Sequence, residues 1–176
     1  MKIVIIPLSI LVVSSLVSCE KTKSTSENKQ PQADFEKFFT SEEITNSQDI
    51  HVARTTAKPG DEITIRGEVI GRKKVFVDGR ASFIVGDPTK LTSCDKVPDD
   101  PCTTPWDACC DGKELKRIGI ASVQILGEDG RVLSGELKGT KGLKELSYVT
   151  VSGVVAETST EDNLIINASK IHVKED

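Results

Sequence analysis

The sequence predicts an all-β fold in which five short strands close into a small barrel. Several segments of residues 60–176 alternate apolar and polar side chains, the period-two pattern of a half-buried strand. Turn-forming Gly, Pro, Asp and Asn residues separate these segments. Gly67 and Gly153 lie inside the first and fourth strands, where the sharp coiling of a small barrel favours glycine. An open β-sandwich fragment is the alternative fold.

The strand boundaries follow from the apolar pattern and from the turns. An Asp-Gly pair at 129–130 favours a hairpin, so residues 132–137 return as partner or extension of the third strand. In the last strand, Ala168 and Ile171 are an odd number of residues apart, so a regular strand would place their side chains on opposite faces. A bulge near Ser169 and Lys170 would return both to the inner face. The predicted strands are residues 63–69, 80–85, 118–126, 148–156 and 164–173.

Three of these stretches resemble a known family. They read GDEITIRG at 60–67, VTVSGVV at 149–155 and LIINA at 164–168. Together they are similar to the OB-fold, and most closely to its tRNA-anticodon-binding-like branch. The resemblance covers residues 60–174 and rests on strand patterns, which specify a fold better than a function. It implies a five-stranded barrel with a ligand surface on strands two and three and the adjacent loops.

The N-terminus has the pattern of an export signal. Lys2 precedes an apolar run at 3–13, which is too short to span a membrane stably, and small residues follow it. The stretch Leu-Val-Ser-Cys at 16–19 resembles the lipobox of bacterial lipoproteins. The resemblance implies that residues 1–18 are removed, that Cys19 is lipidated, and that the chain is anchored in the cell envelope. Glu20 then favours the outer membrane over the inner one. An ordinary cleaved signal is the alternative.

Two segments separate the signal from the barrel. Residues 19–32 carry no large apolar side chain after the cysteine, which predicts a flexible tether. Residues 33–59 form a lead-in, in which Phe35, Phe38, Phe39 and Ile44 have near-helical spacing. We expect one or two short helical turns there, packed loosely on the domain.

A long insertion at residues 88–116, between strands two and three, holds four cysteines. The spacing of Cys94, Cys102, Cys109 and Cys110 matches neither a zinc site nor a C-x-x-C redox motif, so we expect no metal and no other cofactor. Outside the cytoplasm such thiols oxidise to disulfides. A bond between adjacent cysteines is strained. Two patterns therefore remain open: 94–109 with 102–110, or 94–110 with 102–109.

The same insertion carries the only tryptophan of the chain. Trp106 either packs on the barrel wall, the interpretation we favour, or is displayed to a partner. Acidic residues outnumber basic ones in the insertion, a surface that repels phosphate backbones. The D-x-[DN]-x-[DN]-G spacing of a calcium loop is absent.

A candidate ligand surface lies in the loop between the first two strands. Arg72, Lys73, Lys74 and Arg80 surround Phe76 there, an arrangement that resembles a basic groove with one stacking aromatic. The loop between strands four and five is acidic and would cancel much of that charge. A solvated hairpin end with ordinary lysines is the alternative interpretation.

Composition narrows the function further. The chain has 176 residues, a net charge of -4 and 37% hydrophobic residues, which argues against a fully disordered chain and a multi-span membrane protein. The acidic balance argues against a protein that mainly coats nucleic acid. No catalytic triad, H-E-x-x-H motif or P-loop appears, so we expect no enzyme. The sequence predicts a non-catalytic binding module for a protein or glycan partner, with single-stranded nucleic acid as the less favoured alternative.

Overall fold

The computed structural model describes residues 34–175. The predicted signal, the lipidation at Cys19 and the tether lie outside the described residues. No helix within 34–175 combines the length and the apolar character that crossing a membrane requires.

Seven strands and two α-helices make up the described chain. Short 3-10 turns occur at Glu36–Phe38, Cys94–Lys96 and Thr140–Gly142. The strands, in chain order, are β1 (Phe39–Thr40), β2 (Gln48–Asp49), β3 (Glu62–Glu68), β4 (Ser82–Gly86), β5 (Ile120–Gln124), β6 (Tyr148–Val155) and β7 (Leu164–Val173). The helices are α1 (Ile50–Thr56) and α2 (Lys113–Gly119).

Five of the strands close into a barrel. β3 pairs antiparallel with β6 along its whole length, and β6 pairs antiparallel with β7. β7 then runs parallel to β5, which pairs antiparallel with β4. The barrel closes where Glu68 of β3 meets Gly86 of β4. The predicted all-β, five-stranded barrel is therefore confirmed, and its strand order is consistent with an OB-like fold.

Close strand contacts explain the glycines inside strands. A Cβ atom on Gly67 would lie 2.5 Å from Val85 Cγ1 and 2.6 Å from the carbonyl oxygen of Gly86. At Gly153 a Cβ would collide with the backbone of Asn167 and Ala168 on β7. Only glycine lets the strands approach this closely at the points where the barrel bends.

The bulge predicted in the last strand is present. Ser152 of β6 pairs with Lys170, whereas its neighbour Gly153 pairs with Ala168, which leaves Ser169 as the extra residue on β7. Ala168 and Ile171 are both buried as a result, although their sequence separation is odd.

The lead-in packs more tightly than we expected. One of its helical turns is the 3-10 turn at Glu36–Phe38, but the sequence pattern did not reveal α1. Phe35, Ile50 and Ala53 are buried members of the barrel's hydrophobic core. β1 and β2 also extend the sheet, each parallel to its barrel neighbour. The expectation of loose packing is wrong, because these apolar side chains fill the core itself.

The end of the cysteine insertion also differs from the prediction. α2 occupies residues 113–119, so β5 begins at Ile120 rather than at residue 118. Residues 132–137 form no strand of their own. One bridge, between Leu126 and Val132, joins them to the third predicted strand, and another, between Arg80 and Ser134, joins them to the second. The tight turn at 127–131 is present, with the amide of Gly127 donating to the carbonyl of Arg131.

Candidate functional site

A cleft of about 1450 Å³ lies over the outer face of β4 and β5. Ile84 of β4 and Ser122 of β5 contribute to its floor. Its walls are the loop after β3, helix α2 and the tip of the loop between β6 and β7. We call this the basic cleft, because its lining holds twice as many basic as acidic side chains. The basic residues are Arg72, Lys73, Lys74, Lys113, Lys116 and Arg117, and the acidic ones are Asp78, Asp107 and Asp162.

The loop wall is the surface that the sequence predicted. Arg72, Lys73 and Lys74 are all exposed and line the cleft. The loop leads into a short hairpin, since the amide of Ile84 donates to the carbonyl of Val75 and that of Val77 to the carbonyl of Ser82. Lys74 forms an exposed ion pair with Asp78, with 2.9 Å between Nζ and Oδ2, which solvent weakens.

Arg80, the fourth basic residue of the predicted ligand surface, does not lie beside Arg72, Lys73 and Lys74. It is exposed, and it forms a backbone bridge with Ser134 on the returning segment. It lies outside the lining of the basic cleft. The turn at Gly79, where φ is +69°, separates it from the loop wall.

The sequence did not predict the wall of the cleft that helix α2 forms, which we call the helix wall. Lys113, Lys116 and Arg117 have the spacing of neighbours on one helix face, and all three line the cleft. Arg117 holds Glu114 through two hydrogen bonds, and this contact lowers the pKa of the Glu114 carboxyl. The helix-forming run KELKR between two glycines could have indicated α2.

The loop between β6 and β7 forms the third wall. Asp162 and Asn163 line the cleft, whereas Glu157 and Glu161 do not. Arg54 of α1 holds this loop by donating to the carbonyl of Glu161 at 2.9 Å and also to the carbonyl of Ile120. Burial, together with the nearby charge of Arg117, lowers the pKa of Arg54. The hydrogen bond with Glu114 raises the pKa of Arg117, and the charges of Asp162 and Glu161 raise it further, so the acidic loop offsets part of the cleft's positive charge.

The two aromatic residues near the cleft are both engaged by the protein. Phe76 is half-buried and stacks on Phe83, with 6.1 Å between ring centroids and 25° between planes. Trp106 is half-buried, packs against the hydrophobic core and donates from Nε1 to the carbonyl of Lys73 at 3.1 Å. Trp106 thus packs on the barrel wall, the interpretation we favoured.

The four cysteines of the insertion come together as free thiols. Cys94 Sγ lies 3.4 Å from Cys109 Sγ, which lies 3.7 Å from Cys110 Sγ. The sulfurs of Cys94, Cys102 and Cys109 are all within 4.8 Å of one another. Burial raises the pKa of Cys94 to about 12, whereas a hydrogen bond with Thr104 lowers the pKa of Cys102. Disulfide bonding and the absence of a metal stay predictions.

An ion pair anchors the cysteine insertion to the barrel. Lys96 Nζ lies 2.5 Å from Oε2 of Glu68, whose side chain is 3% exposed. Burial opposes the charge of Lys96, but the hydrogen bond and charge of Glu68 outweigh it, so the pKa of Lys96 is raised. Lys96 also lies over the ring of Tyr148, 5.7 Å from its centroid.

A second buried carboxylate, Asp87, holds the start of α1. It accepts hydrogen bonds from the amide and the Nδ1 of His51, and from the amide and hydroxyl of Thr89. Burial alone would raise the pKa of Asp87, but these hydrogen bonds outweigh it and lower the pKa. The His51 side chain is 28% exposed.

No protein-family model and no curated protein matches the chain. One solved structure is similar to it, described as "OBody AM1L10 bound to hen egg-white lysozyme". The two share 15% sequence identity at a TM-score of 0.40, over 77% of this chain and 100% of that one. With a TM-score this low, the fold class of the chain rests on its own strand pairing.

Proposed function

We propose that the chain is a lipid-anchored protein of the bacterial cell envelope whose barrel is a non-catalytic binding module. The lipid anchor rests on the resemblance of residues 16–19 to a lipobox. Sequence reasoning favoured a protein or a glycan as the partner. The basic cleft supports an acidic glycan, and the observation that carries this proposal is its two facing basic walls. One wall holds Arg72, Lys73 and Lys74, and the other holds Lys113, Lys116 and Arg117.

The mixed polarity of the cleft suits a sugar polymer. Basic side chains form charge-assisted hydrogen bonds with carboxylate or sulfate groups. Carboxylates such as Asp107 and Asp162, and the side chains of Ser122 and Asn163, can accept hydrogen bonds from sugar hydroxyls. An extended chain lying between the two walls would contact both kinds of group at once.

Single-stranded nucleic acid is the second candidate, supported by the positive charge and the barrel face beneath it. Binding of that kind combines a basic groove with aromatic side chains on which bases stack. Phe76, the one aromatic residue of the lining, is half-buried and already stacks on Phe83, whereas Trp106 lies outside the lining. The carboxylates in the lining repel the acid groups of both polymers and do not distinguish them. An acidic glycan needs no stacking of bases on aromatic rings, and this difference favours the glycan.

The test compares charge variants of the full-length protein. One variant carries Arg72→Gln, Lys73→Gln and Lys74→Gln, and a second carries Lys113→Gln, Lys116→Gln and Arg117→Gln. A matched control neutralises three exposed basic residues outside the cleft, Lys58, Arg131 and Lys170. Binding to heparin, to polygalacturonate and to oligo-dT is measured at several salt concentrations.

We expect each wall variant to lose at least about tenfold in affinity for the two glycans, while the control variant keeps it. A fall in affinity of the control equal to that of the wall variants would show non-specific charge attraction and contradict the proposal. Tighter binding to oligo-dT than to either glycan would favour the nucleic-acid function instead. Absence of binding to all three polyanions would also overturn the proposal.

A further inference from the structure

The cysteine insertion and the basic cleft share one stretch of backbone, residues 105–109. On one side this stretch is hydrogen-bonded to the segment that carries Cys94. The amide of Cys94 donates to the carbonyl of Asp107 at 2.8 Å, and that of Asp95 to the carbonyl of Pro105 at 2.9 Å. The sulfurs of Cys94 and Cys109, 3.4 Å apart, lie at the end of this ladder.

On its other side the same stretch holds the loop wall of the cleft. The amide of Gly71 donates to the carbonyl of Trp106 at 2.9 Å, and Nε1 of Trp106 donates to the carbonyl of Lys73 at 3.1 Å. Asp107, the next residue, lines the cleft directly. The position of the basic loop therefore depends on how firmly Trp106 is held.

We propose that Cys94 and Cys109 form a disulfide that holds Trp106 in place as a positioning residue for the basic cleft. Its effect on binding rests on the proposed function, whereas the bond and the ordering of Trp106 do not. The bond would fix the loop wall in the position that it already has with free thiols, and reduction would allow Trp106 and the loop wall to move away from that position.

The contact between Cys94 and Cys109 favours one of the two pairings that the sequence left open. Cys94 Sγ is in contact with Cys109 Sγ, and a bond between adjacent Cys109 and Cys110 is strained. Cys102 is then left to Cys110, and both line one surface hollow together with Cys109. The expected pattern is 94–109 with 102–110.

Bond formation needs a thiol oxidant, and a small-molecule disulfide such as oxidised glutathione is sufficient. The exposed Cys109 thiolate attacks the disulfide, forms a mixed disulfide and releases one thiol. Cys94, after losing its proton, attacks the Cys109 sulfur of the mixed disulfide and releases the second thiol. Two cysteine thiols lose two protons and two electrons, and the glutathione disulfide is reduced to two glutathione thiols.

The pairing is tested with two matched double variants of the full-length protein. Both variants are made in a Cys19→Ser background, since the chain has a fifth cysteine. There Cys102→Ser with Cys110→Ser leaves Cys94 and Cys109, whereas Cys102→Ser with Cys109→Ser leaves Cys94 and Cys110. After incubation with oxidised glutathione, we expect only the first variant to form an internal bond, read as the loss of two hydrogens by mass spectrometry. Equal or faster bond formation in the second variant, or none in the first, would overturn the inference.

Trp106 supplies a second measurement that needs no ligand, because it is the only tryptophan. We expect reduction to shift its fluorescence emission to longer wavelength as the side chain gains solvent. An unchanged spectrum would overturn its role as a positioning residue.

In the variant that keeps Cys94 and Cys109, we expect oxidised protein to bind heparin about tenfold more tightly than reduced protein. If the oxidised protein binds no glycan, the proposed function fails, and the mass and fluorescence data alone decide this inference.

Discussion

Gly67 lies where β3 passes closest to β4, and no other residue fits there. A methyl group at this position would lie 2.5 Å from Val85 Cγ1 and 2.6 Å from the backbone oxygen of Gly86. We expect Gly67→Ala to lower the free energy of unfolding by about 1–3 kcal/mol, because the backbone of β4 cannot move away without breaking the barrel.

Chemical denaturation of this variant gives the measurement. Gly112→Ala is the matched control, since a Cβ there meets no atom within 4 Å. We expect the control to stay within about 1 kcal/mol of the parent protein. Equal stability of the two variants would contradict the close approach of β3 and β4.

Asp87 is a buried carboxylate whose stabilising effect depends on pH. Its hydrogen bonds from His51 and Thr89 hold its pKa in the folded protein below the ordinary value of 3.8. The charged form therefore stabilises the fold above that pH, and the stabilisation is lost as the pH falls through the folded-state pKa. We expect Asp87→Asn to cost about 1–3 kcal/mol at neutral pH.

The pH dependence distinguishes this charge effect from a simple packing defect. The stability difference between the parent protein and Asp87→Asn is expected to stay constant down to about pH 5 and to shrink below it, as the pH falls through the ordinary value of 3.8 and then through the lower folded-state pKa, measured by urea denaturation. Glu128→Gln, an exposed acid-to-amide change, is the control and is expected to show no such trend. A difference that stays constant or grows as the pH falls would contradict this role of Asp87.

The bulge in β7 decides which side chains of that strand enter the core. With it Ile171 is fully buried and Lys170 is exposed. A regular strand that kept Leu164 and Ile166 inside would place residue 170 inward instead. We expect Ile171→Ala to cost about 2–5 kcal/mol and Lys170→Ala to change stability by less than about 0.5 kcal/mol. Thermal or chemical unfolding that ranked the two variants in the opposite order would contradict the bulge.

Helix α2 shows why part of the basic cleft escaped sequence reasoning. It has seven residues, lies at the end of a loop, begins directly after Gly112 and ends at Gly119. A helix of this length is marginal in isolation, so its local pattern is weak. The loop wall was easier to predict, because Arg72, Lys73 and Lys74 follow a clear strand and precede another. Tertiary packing alone places α2 opposite them.

The predicted lipid anchor concerns the molecule as a whole, because it would fix the barrel to a membrane surface. We expect Cys19→Ala to abolish labelling of the chain by a palmitate analogue, since the acceptor thiol is gone. Cys102→Ala, which removes a thiol of the barrel domain, is the matched control and is expected to label normally. Normal labelling of Cys19→Ala would contradict the lipobox interpretation.

The sequence by itself determined the all-β class, the five strands within a few residues and the bulge in β7. These features are local or periodic, so the alternation of Ile63, Ile65, Ala168 and Ile171 with polar neighbours was enough to reveal them. The glycines within strands also identified the bending points. Each of these signals comes from residues close together in the chain.

Only the tertiary structure decided features that depend on residues far apart in the sequence. The burial of Phe35 and Ile50 in the core, the contact of Cys94 with Cys109 and the pairing of His51 with Asp87 are of this kind. The position of α2, which forms the second basic wall of the cleft, also depends on contacts between residues far apart in the sequence. Sequence spacing does not encode distances across the barrel, which follow from the closure of β3 onto β4 and β6.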